Sequence, residues 1–398
     1  MTDLILVSAS DIADACAALR RGDVVGLPTE TVYGLAGDAG NAEAVRRIFA
    51  TKGRPADHPL IVHVHDAARI DDWARDVPEI ARRLAAAFWP GPLTMILKRA
   101  AHVLDVVTGG QDTIGLRVPN HPVALALLQA FGGGLAAPSA NRFGHVSPTT
   151  AQHVRDEFAD AVPVVLDGGP CKVGIESTIV DVSGEMPRIL RPGQIGADAI
   201  AQVLGVPVTI GAQQASPRVS GSLASHYAPD TPAERVPTER LDTLIHQALG
   251  SGETIRVLAL RHLPNGVHGL IMPNDPAQYA RHLYAALRSL DAEGTLADRD
   301  ATGSTRMARD PRSHRARHRR AQRRRRTLID QRFDLRALRL ADGLDAALAA
   351  GSASAVAGWS PMIDFAGQTA KIGQRLQPTA NATGQMVMIG TPVAVVAV

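Results

Sequence analysis

The sequence predicts an α/β protein in two domains, and three observations carry this. Short runs rich in Val, Ile and Leu alternate with Ala- and Leu-rich stretches of helical period. Glycine and proline punctuate the changeovers. Between Gly205 and Pro237 the periodicity lapses into a Pro-, Ser-, Ala- and Gln-rich linker, after which a second strand–helix alternation begins. A length of 398 residues suits two domains, with room for a third.

In chain order, Asp11 to Arg21 has amphipathic helical spacing, with Asp11 placed to cap it. Val24 and Val25 follow the turn-forming Arg21-Gly22-Asp23 and start a strand that ends near Leu27, because Pro28 has no N–H for a ladder. A helix over 42–51 stops at Lys52-Gly53-Arg54-Pro55. Leu60 to Val64 is a strand, and Pro78 to Phe88 a helix broken by Trp89-Pro90-Gly91-Pro92. Strands follow at 93–97 and 113–118. A helix over 122–131 is closed by Gly132-Gly133-Gly134, and another runs over 148–158. Strands at 162–166, 177–182 and 188–190 complete the first domain, 1–205. After the linker (206–237), the second domain (238–294) shows a helix over 239–249, a strand over 254–260 and a helix over 276–290. A further strand is due after Gly294, but residues 295–398 are Arg-rich and weakly patterned.

Hydrophobic residues at 45% and charged residues at 20% describe a soluble globular chain, and no apolar run reaches the ~20 residues of a membrane span. The N-terminus has no basic segment followed by an apolar core, so no signal peptide is expected. Cys16 and Cys171 are too few for a disulfide scaffold or a cysteine zinc site, which suits a reducing cytoplasm. The net charge of +3 conceals an imbalance: residues 295–330 hold 12 Arg and 4 Asp, a local +8, leaving about −5 for the rest. Overall basicity is therefore no argument for nucleic-acid binding.

Four polar constellations interrupt this pattern. The first is Gly26-Leu27-Pro28-Thr29-Glu30-Thr31-Val32-Tyr33-Gly34-Leu35, at the end of a strand, where α/β sheets bind ligands. A turn accounts for its glycines, but not for two threonines, a glutamate and a tyrosine in five positions. Lys52 and Arg54 in a Gly-Pro loop suit a polyphosphate, although loop charges are commonly just solvated. His63 lies mid-strand, where a satisfied core histidine is the commoner reading. Pro138-Ser139-Ala140-Asn141 and Ser147-Pro148-Thr149 suit caps and turns, or phosphate oxygens at a helix start. Gly174 to Asp181 and Arg191-Pro192-Gly193 complete the set. Arg117 and Arg191 fall in apolar strands, and a buried Arg requires an anionic partner.

The order and spacing of Pro-Thr-Glu-Thr-Val-Tyr-Gly-Leu, Lys-Gly-Arg-Pro, Pro-Leu-Ile-Val-His, Trp-Pro-Gly-Pro-Leu-Thr, Gly-Leu-Arg-Val-Pro, Ala-Pro-Ser-Ala-Asn, Glu-Ser-Thr-Ile-Val-Asp and Leu-Arg-Pro-Gly resemble the YrdC/Sua5 family of threonylcarbamoyl-AMP synthases, over about Leu4 to Gly205. Ser-Leu-Ala-Ser-His-Tyr-Ala-Pro, 222–229, resembles the linker motif of the long, Sua5 type. The resemblance implies a YrdC-like twisted mixed sheet with a large concave cavity, followed by a smaller Rossmann-like domain. It implies a nucleotidyltransferase that condenses L-threonine, bicarbonate and ATP to threonylcarbamoyl-AMP and pyrophosphate, for the modification of tRNA at position 37. By the same resemblance Thr31, His63, Arg117, Ala137 and Ser177 line a threonine pocket. Arg54, His58, Thr113, Ser139, Ser147, Arg191 and Tyr227 hold ATP, with Tyr227 as a lid. Lys52, Arg54, Ser139 and Asn141 form the catalytic cluster. No dedicated metal site is expected, and Mg²⁺ would arrive on the ATP phosphates. The product would pass to the tRNA threonylcarbamoyl transferase machinery, with direct tRNA contact left open.

Two other readings stand beside this one. A carbamoyl-adenylate-forming relative would normally carry zinc-binding cysteine pairs, which the sequence lacks, and a double-stranded-RNA or ribosome-binding module would need no threonine. From about residue 295 the chain departs from the family. Only four of its 42 basic residues are Lys, which points to GC-rich coding DNA, so a frameshift is the preferred reading of the tail and a basic tRNA-binding arm the rival. On either reading the last strand and helix of the second domain are absent from the sequence.

Overall fold

The structure, a computed structural model, describes residues 7–213, 216–220, 227–231, 233–250, 255–260, 263, 265–301, 384–387 and 393–397. These fall into two compact units. The first holds the described residues through 220 together with Asp275–Ala285; the second holds those from 227 to 274, from 286 to 301, and the two tail segments.

The first unit begins with α1 (Ala9–Arg20), β1 (Val25–Leu27), β2 (Gly34–Asp38), α2 (Ala42–Lys52) and β3 (Ile61–His63). Then come α3 (Ile70–Trp73), α4 (Glu79–Phe88), β4 (Leu93–Lys98), α5 (Asp105–Thr108), β5 (Thr113–Arg117), α6 (Pro122–Phe131), β6 (Leu135–Ala136) and α7 (Ala151–Phe158). It closes with β7 (Thr178–Asp181), β8 (Arg188–Arg191), α8 (Ala197–Leu204) and β9 (Thr209–Ile210). The nine strands form one mixed sheet in the order β1-β2-β6-β3-β5-β4-β7-β8-β9. The β1-β2-β6-β3 part is antiparallel throughout, and from β3 onward parallel pairs (β3 with β5, β4 with β7, β8 with β9) alternate with antiparallel ones. One apolar cluster gathers Tyr33, Ile48, Leu84, Met95, Leu116 and Val180; a second packs α1 and α6 through Leu19, Leu27, Leu127 and Leu128.

Local chemistry moves several predicted boundaries. Ser8, not Asp11, caps α1: Ser8 Oγ accepts the Asp11 N–H and Asp11 Oδ2 accepts the Ser8 N–H, a reciprocal capping box. Helix α7 starts at Ala151 instead of Pro148, because Thr150 Oγ1 accepts the His153 N–H while the Pro148 carbonyl is taken by the Tyr33 N–H. The strand predicted at 162–166 reduces to one bridge, with Gly26 N–H donating to Val164 O and Leu166 N–H to Gly26 O. Gly26 is required there, since a Cβ would stand 2.9 Å from Val165 Cγ1.

The register places chemistry in a row. His63 pairs with Arg117, and Leu116 with Met95, so the next step along β4 sets Thr94 beside Arg117. Thr94 pairs with Ile179, and Ile179 with Arg191. Because strand side chains alternate with period two, His63, Arg117, Thr94, Ile179 and Arg191 share one face. Two residues along, Ile61 pairs with Gly115 and Gly115 with Ile96, giving an apolar row on the same face.

The second unit has β10 (Ala233–Pro237), α9 (Thr238–Gly250), β11 (Ile255–Ala259), β12 (His268–Ile271), α10 (Pro276–Ala301, whose first turns belong to the first unit), β13 (Gly384–Val387) and β14 (Val393–Ala397). Its sheet order is β10-β13-β14-β11-β12. This corrects the expectation that the terminal strand is absent: two tail segments pair within the sheet, and the β-branched run Val393, Val395, Val396 supplies the propensity. Directly after Gly294, where the sequence predicts a strand, the chain stays helical and α10 continues to Ala301. The Arg-rich stretch beyond 301 lies outside the described residues.

Candidate functional site

The loop from Leu27 to Gly34 is buried throughout and held by side chains from three elements. At the end of β5, Arg117 sends Nε to Gly91 O (3.2 Å) and Nη1 to Thr31 Oγ1 (2.8 Å), while Nη2 lies 2.6 Å from Glu30 Oε1. The anionic partner that a buried Arg117 requires is therefore internal: Glu30, whose other oxygen accepts the Asn120 N–H. Thr29 Oγ1 lies 2.9 Å from Thr31 Oγ1, and Tyr33 donates its phenol to Gly169 O at 2.7 Å. The Val173 and Gly174 N–H groups donate to the carbonyls of Glu30 and Thr31, tying the loop to the segment before β7.

His63 stands beside Arg117 in the register row. Burial, aided by the Arg117 charge, pushes its pKa down to about 3, so the imidazole is neutral at physiological pH. Across the same face Ser177 Oγ bonds Thr94 Oγ1 (2.7 Å) and accepts from Arg191 Nη2 (3.1 Å), while Arg191 Nε donates to Ser177 O. Ala137 is fixed by its N–H to Ile61 O. Thr31, His63, Arg117 and Ser177 thus come together through named bonds and register, with Ala137 adjoining β3.

Lys52 is the last residue of α2, before Gly53 takes the left-handed conformation (φ 60°) that ends the helix. Its buried ammonium donates to the backbone carbonyls of Ser139 and Asn141. Burial, and then the Arg54 charge, lowers its pKa well below the usual lysine value. The Asn141 amide nitrogen donates to Arg142 O and His145 O, which leaves Oδ1 buried and without a hydrogen-bond partner among the described residues. Arg54 Nη2 reaches Pro59 O and Ser220 Oγ, and Arg191 Nη1 reaches Ser220 O, all at 3.1 Å. Ser220 thus joins the two arginines. Beside it opens a narrow cleft, floored by Ile61, Gly115, Ile96 and Ile179 and walled by Thr113, Gln111 and Arg218–Ser220. Gly115 keeps that floor low, because a Cβ would stand 3.3 Å from Ile96 Cδ1. His58 packs edge-on against Phe143, and burial together with Arg54 lowers its pKa.

Ser147 is fully buried, its hydroxyl donating to Glu176 Oε1 at 2.7 Å. Tyr227, buried with φ 67°, belongs to the second unit. The sequence motifs include Thr94 and Glu176 without marking them as site residues, and Ser220 and Tyr284 lie outside every motif. The available signals were a hydroxyl inside the apolar run Leu93–Leu97 and a carboxylate flanked by Ile175 and Ser177. Among the described residues, no group of His, Cys, Asp and Glu is arranged to hold a metal ion.

Residues 17–193 match the Sua5/YciO/YrdC family profile, described as telomere recombination, and residues 195–309 match the profile described as threonylcarbamoyl-AMP synthase, C-terminal domain. The chain is 39% identical over 304 residues to the threonylcarbamoyl-AMP synthase of Bacillus subtilis, covering 73% of this chain and 87% of that protein. The chain belongs to the threonylcarbamoyl-AMP synthase family. The family member from Pyrococcus abyssi is 36% identical over 291 residues. A crystal structure of Pyrococcus abyssi Sua5 with L-threonine superposes with a TM-score of 0.67 at 35% identity, covering 72% of this chain and 87% of that one. Within this family frame the first profile spans the row from His63 to Arg191, and the second begins two residues after Gly193.

Proposed function

We propose that the chain is an L-threonylcarbamoyladenylate synthase. The threonine amine takes up the carbon of bicarbonate with loss of water. The resulting carbamate oxygen attacks the α-phosphorus of ATP, and the Pα–O bond breaks to release pyrophosphate. The observation that carries this reading is the gathering of Lys52, Arg54 and Arg191, all buried, around one polar row beside an apolar-floored cleft, with Arg117 held in the same row by Glu30. A carboxylate, a carbamate and a triphosphate repel one another, so preorganised cations are what the reaction demands. Burial without a covalent nucleophile in place suits catalysis by positioning.

Thr31, His63, Arg117, Ala137 and Ser177 serve threonine in this reading. Arg54, His58, Thr113, Ser139, Ser147, Arg191 and Tyr227 serve ATP, with Lys52 and Asn141 acting beside Arg54 and Ser139. Mg²⁺ would bind through the phosphates, because the polar side chains lining the cleft are Arg218, Gln111, Thr113 and Ser220, which suit phosphate oxygens more than a bare metal. Bicarbonate as co-substrate, transfer of the product to the tRNA-modifying machinery and a cytoplasmic setting belong to the same proposal. Among the described residues no helix is long and apolar enough to cross a membrane. Pyrophosphate release by the purified chain is expected to require both threonine and bicarbonate, and Arg54→Ala or Lys52→Ala to abolish it. Wild-type rates in both variants would sink the assignment.

A further inference from the structure

Glu176 is buried beside Ser177, and its two oxygens are divided between two partners. Oε1 accepts the Ser147 hydroxyl at 2.7 Å, and Oε2 accepts the Tyr284 hydroxyl at 2.8 Å. Tyr284 comes from the first turns of α10, is itself buried, and is flanked there by the buried Leu283 and Ala280. The helix approaches the segment before β7 closely: a Cβ on Gly174 (φ 79°) would stand 2.4 Å from Arg281 O. That same segment is bonded to the Thr31 loop through the Gly174 N–H. A buried carboxylate is costly unless its oxygens are satisfied, so the two hydroxyls fix where Glu176 sits. Glu176 also acts electrostatically on Lys52, favouring its charged form against the cost of burial.

We propose that Tyr284 is a positioning residue for the nucleotide half of the site: its phenol holds Glu176, and Glu176 holds the Ser147 hydroxyl. Because the Ser147 hydroxyl donates to a carboxylate, Ser147 Oγ keeps only acceptor capacity, which suits a ribose hydroxyl or the adenine amine and not a phosphate oxygen, and it is aimed by a residue 137 positions away in sequence. Helix α10 thereby supplies one side chain to the order of the site. This rests on the reading of Ser147 as an ATP residue.

The test is a KM split combined with a double-mutant cycle. Tyr284→Phe keeps the ring and removes one hydrogen bond. It should raise the KM for ATP about fivefold, leave the KM for threonine within about twofold, and, because a buried hydrogen bond to a carboxylate is lost, lower the melting temperature by about 3–8 °C. In a Ser147→Ala background, Tyr284→Phe should have no further effect on the KM for ATP, because the hydroxyl it positions is gone. Glu176→Gln, which can still accept from Ser147, should retain more ATP affinity than Glu176→Ala. Binding of a non-hydrolysable ATP analogue, measured by calorimetry, should follow the same order. An unchanged ATP affinity in Tyr284→Phe overturns the proposal, as does an equal rise in both KM values or full additivity with Ser147→Ala. If the wild-type chain bound the analogue yet released no pyrophosphate, the proposed function would fail while the relay was still scored by calorimetry. If it bound no nucleotide, both would fall.

Discussion

His63 is an ionisable residue that the fold denies a proton. Its pKa falls to about 3 in the folded chain, against the ordinary value near 6.5 that the unfolded chain regains. Between those values the unfolded state binds a proton that the folded state does not, so stability must fall as pH drops from about 6.5 towards 3. Above that window His63 contributes no pH dependence. At pH 5 the loss due to this residue should be about 2 kcal/mol relative to pH 7.5, from ~1.4 kcal/mol per pH unit. Urea unfolding of the wild type and of His63→Gln at both pH values measures it, and equal losses in the two proteins would reject the assignment. Arg117, which faces His63, shows what sequence reading could and could not reach. That a strand arginine needs an anion is evident from composition alone; that the anion is Glu30, neighbour of the Thr31 that lies 86 positions before Arg117, depends on how the chain returns to the sheet.

Elements whose signals are local were legible, and those made by tertiary contact were not. Helix α6, Pro122–Phe131, has proline at its first position and a left-handed Gly132 (φ 83°) after its last, so sequence and structure agree on both ends. Strand β2 reads Gly-Leu-Ala-Gly-Asp, with no β-branched residue. It is a strand because its neighbours demand one, and Gly37 lies where a Cβ would be 3.1 Å from Ile48 Cδ1 of α2. The same reasoning explains the glycine of the Leu-Arg-Pro-Gly motif. After β8 the chain passes so near β7 that a Cβ on Gly193 would stand 2.4 Å from Thr178 N and 2.8 Å from Glu176 O, both backbone atoms that cannot swing aside. Gly193→Ala must push the end of β8 outward and carry Arg191 with it. A destabilisation of about 1–3 kcal/mol is expected, as for an overpacked core site, together with weakened ATP binding. Chemical denaturation and nucleotide titration of the variant measure both. Wild-type stability would show that the turn has slack the distances deny.

At the scale of the molecule, the sharpest departure from the sequence reading lies in the second unit. A tail that composition marks as out of pattern nevertheless contributes β13 and β14, and both stand between β10 and β11 in the sheet. β14 pairs in parallel with β11 from Ile255↔Val393 to Leu258↔Val396, and with β10 from Ala233↔Ala394 to Val236↔Ala397. Hydrophobic tail residues were visible in the sequence, but a pairing across more than a hundred positions has no local signature, and Arg-rich text in between argued for a break. If these strands hold the sheet, a chain ending at Ala301 loses the neighbours of β10 and β11 and exposes the Val257 and Leu258 edge, a site for self-association. Hydrogen exchange at the β11 amides should then be slow in the full chain and fast in the shortened one, and the shortened chain should aggregate on concentration. The first unit's strands, β3 to β8, should exchange alike in both. Equal protection of β11 in the two chains would mean that the tail strands carry no stability. A reading frame shifted near codon 295 would then account for the sequence better than a folded extension.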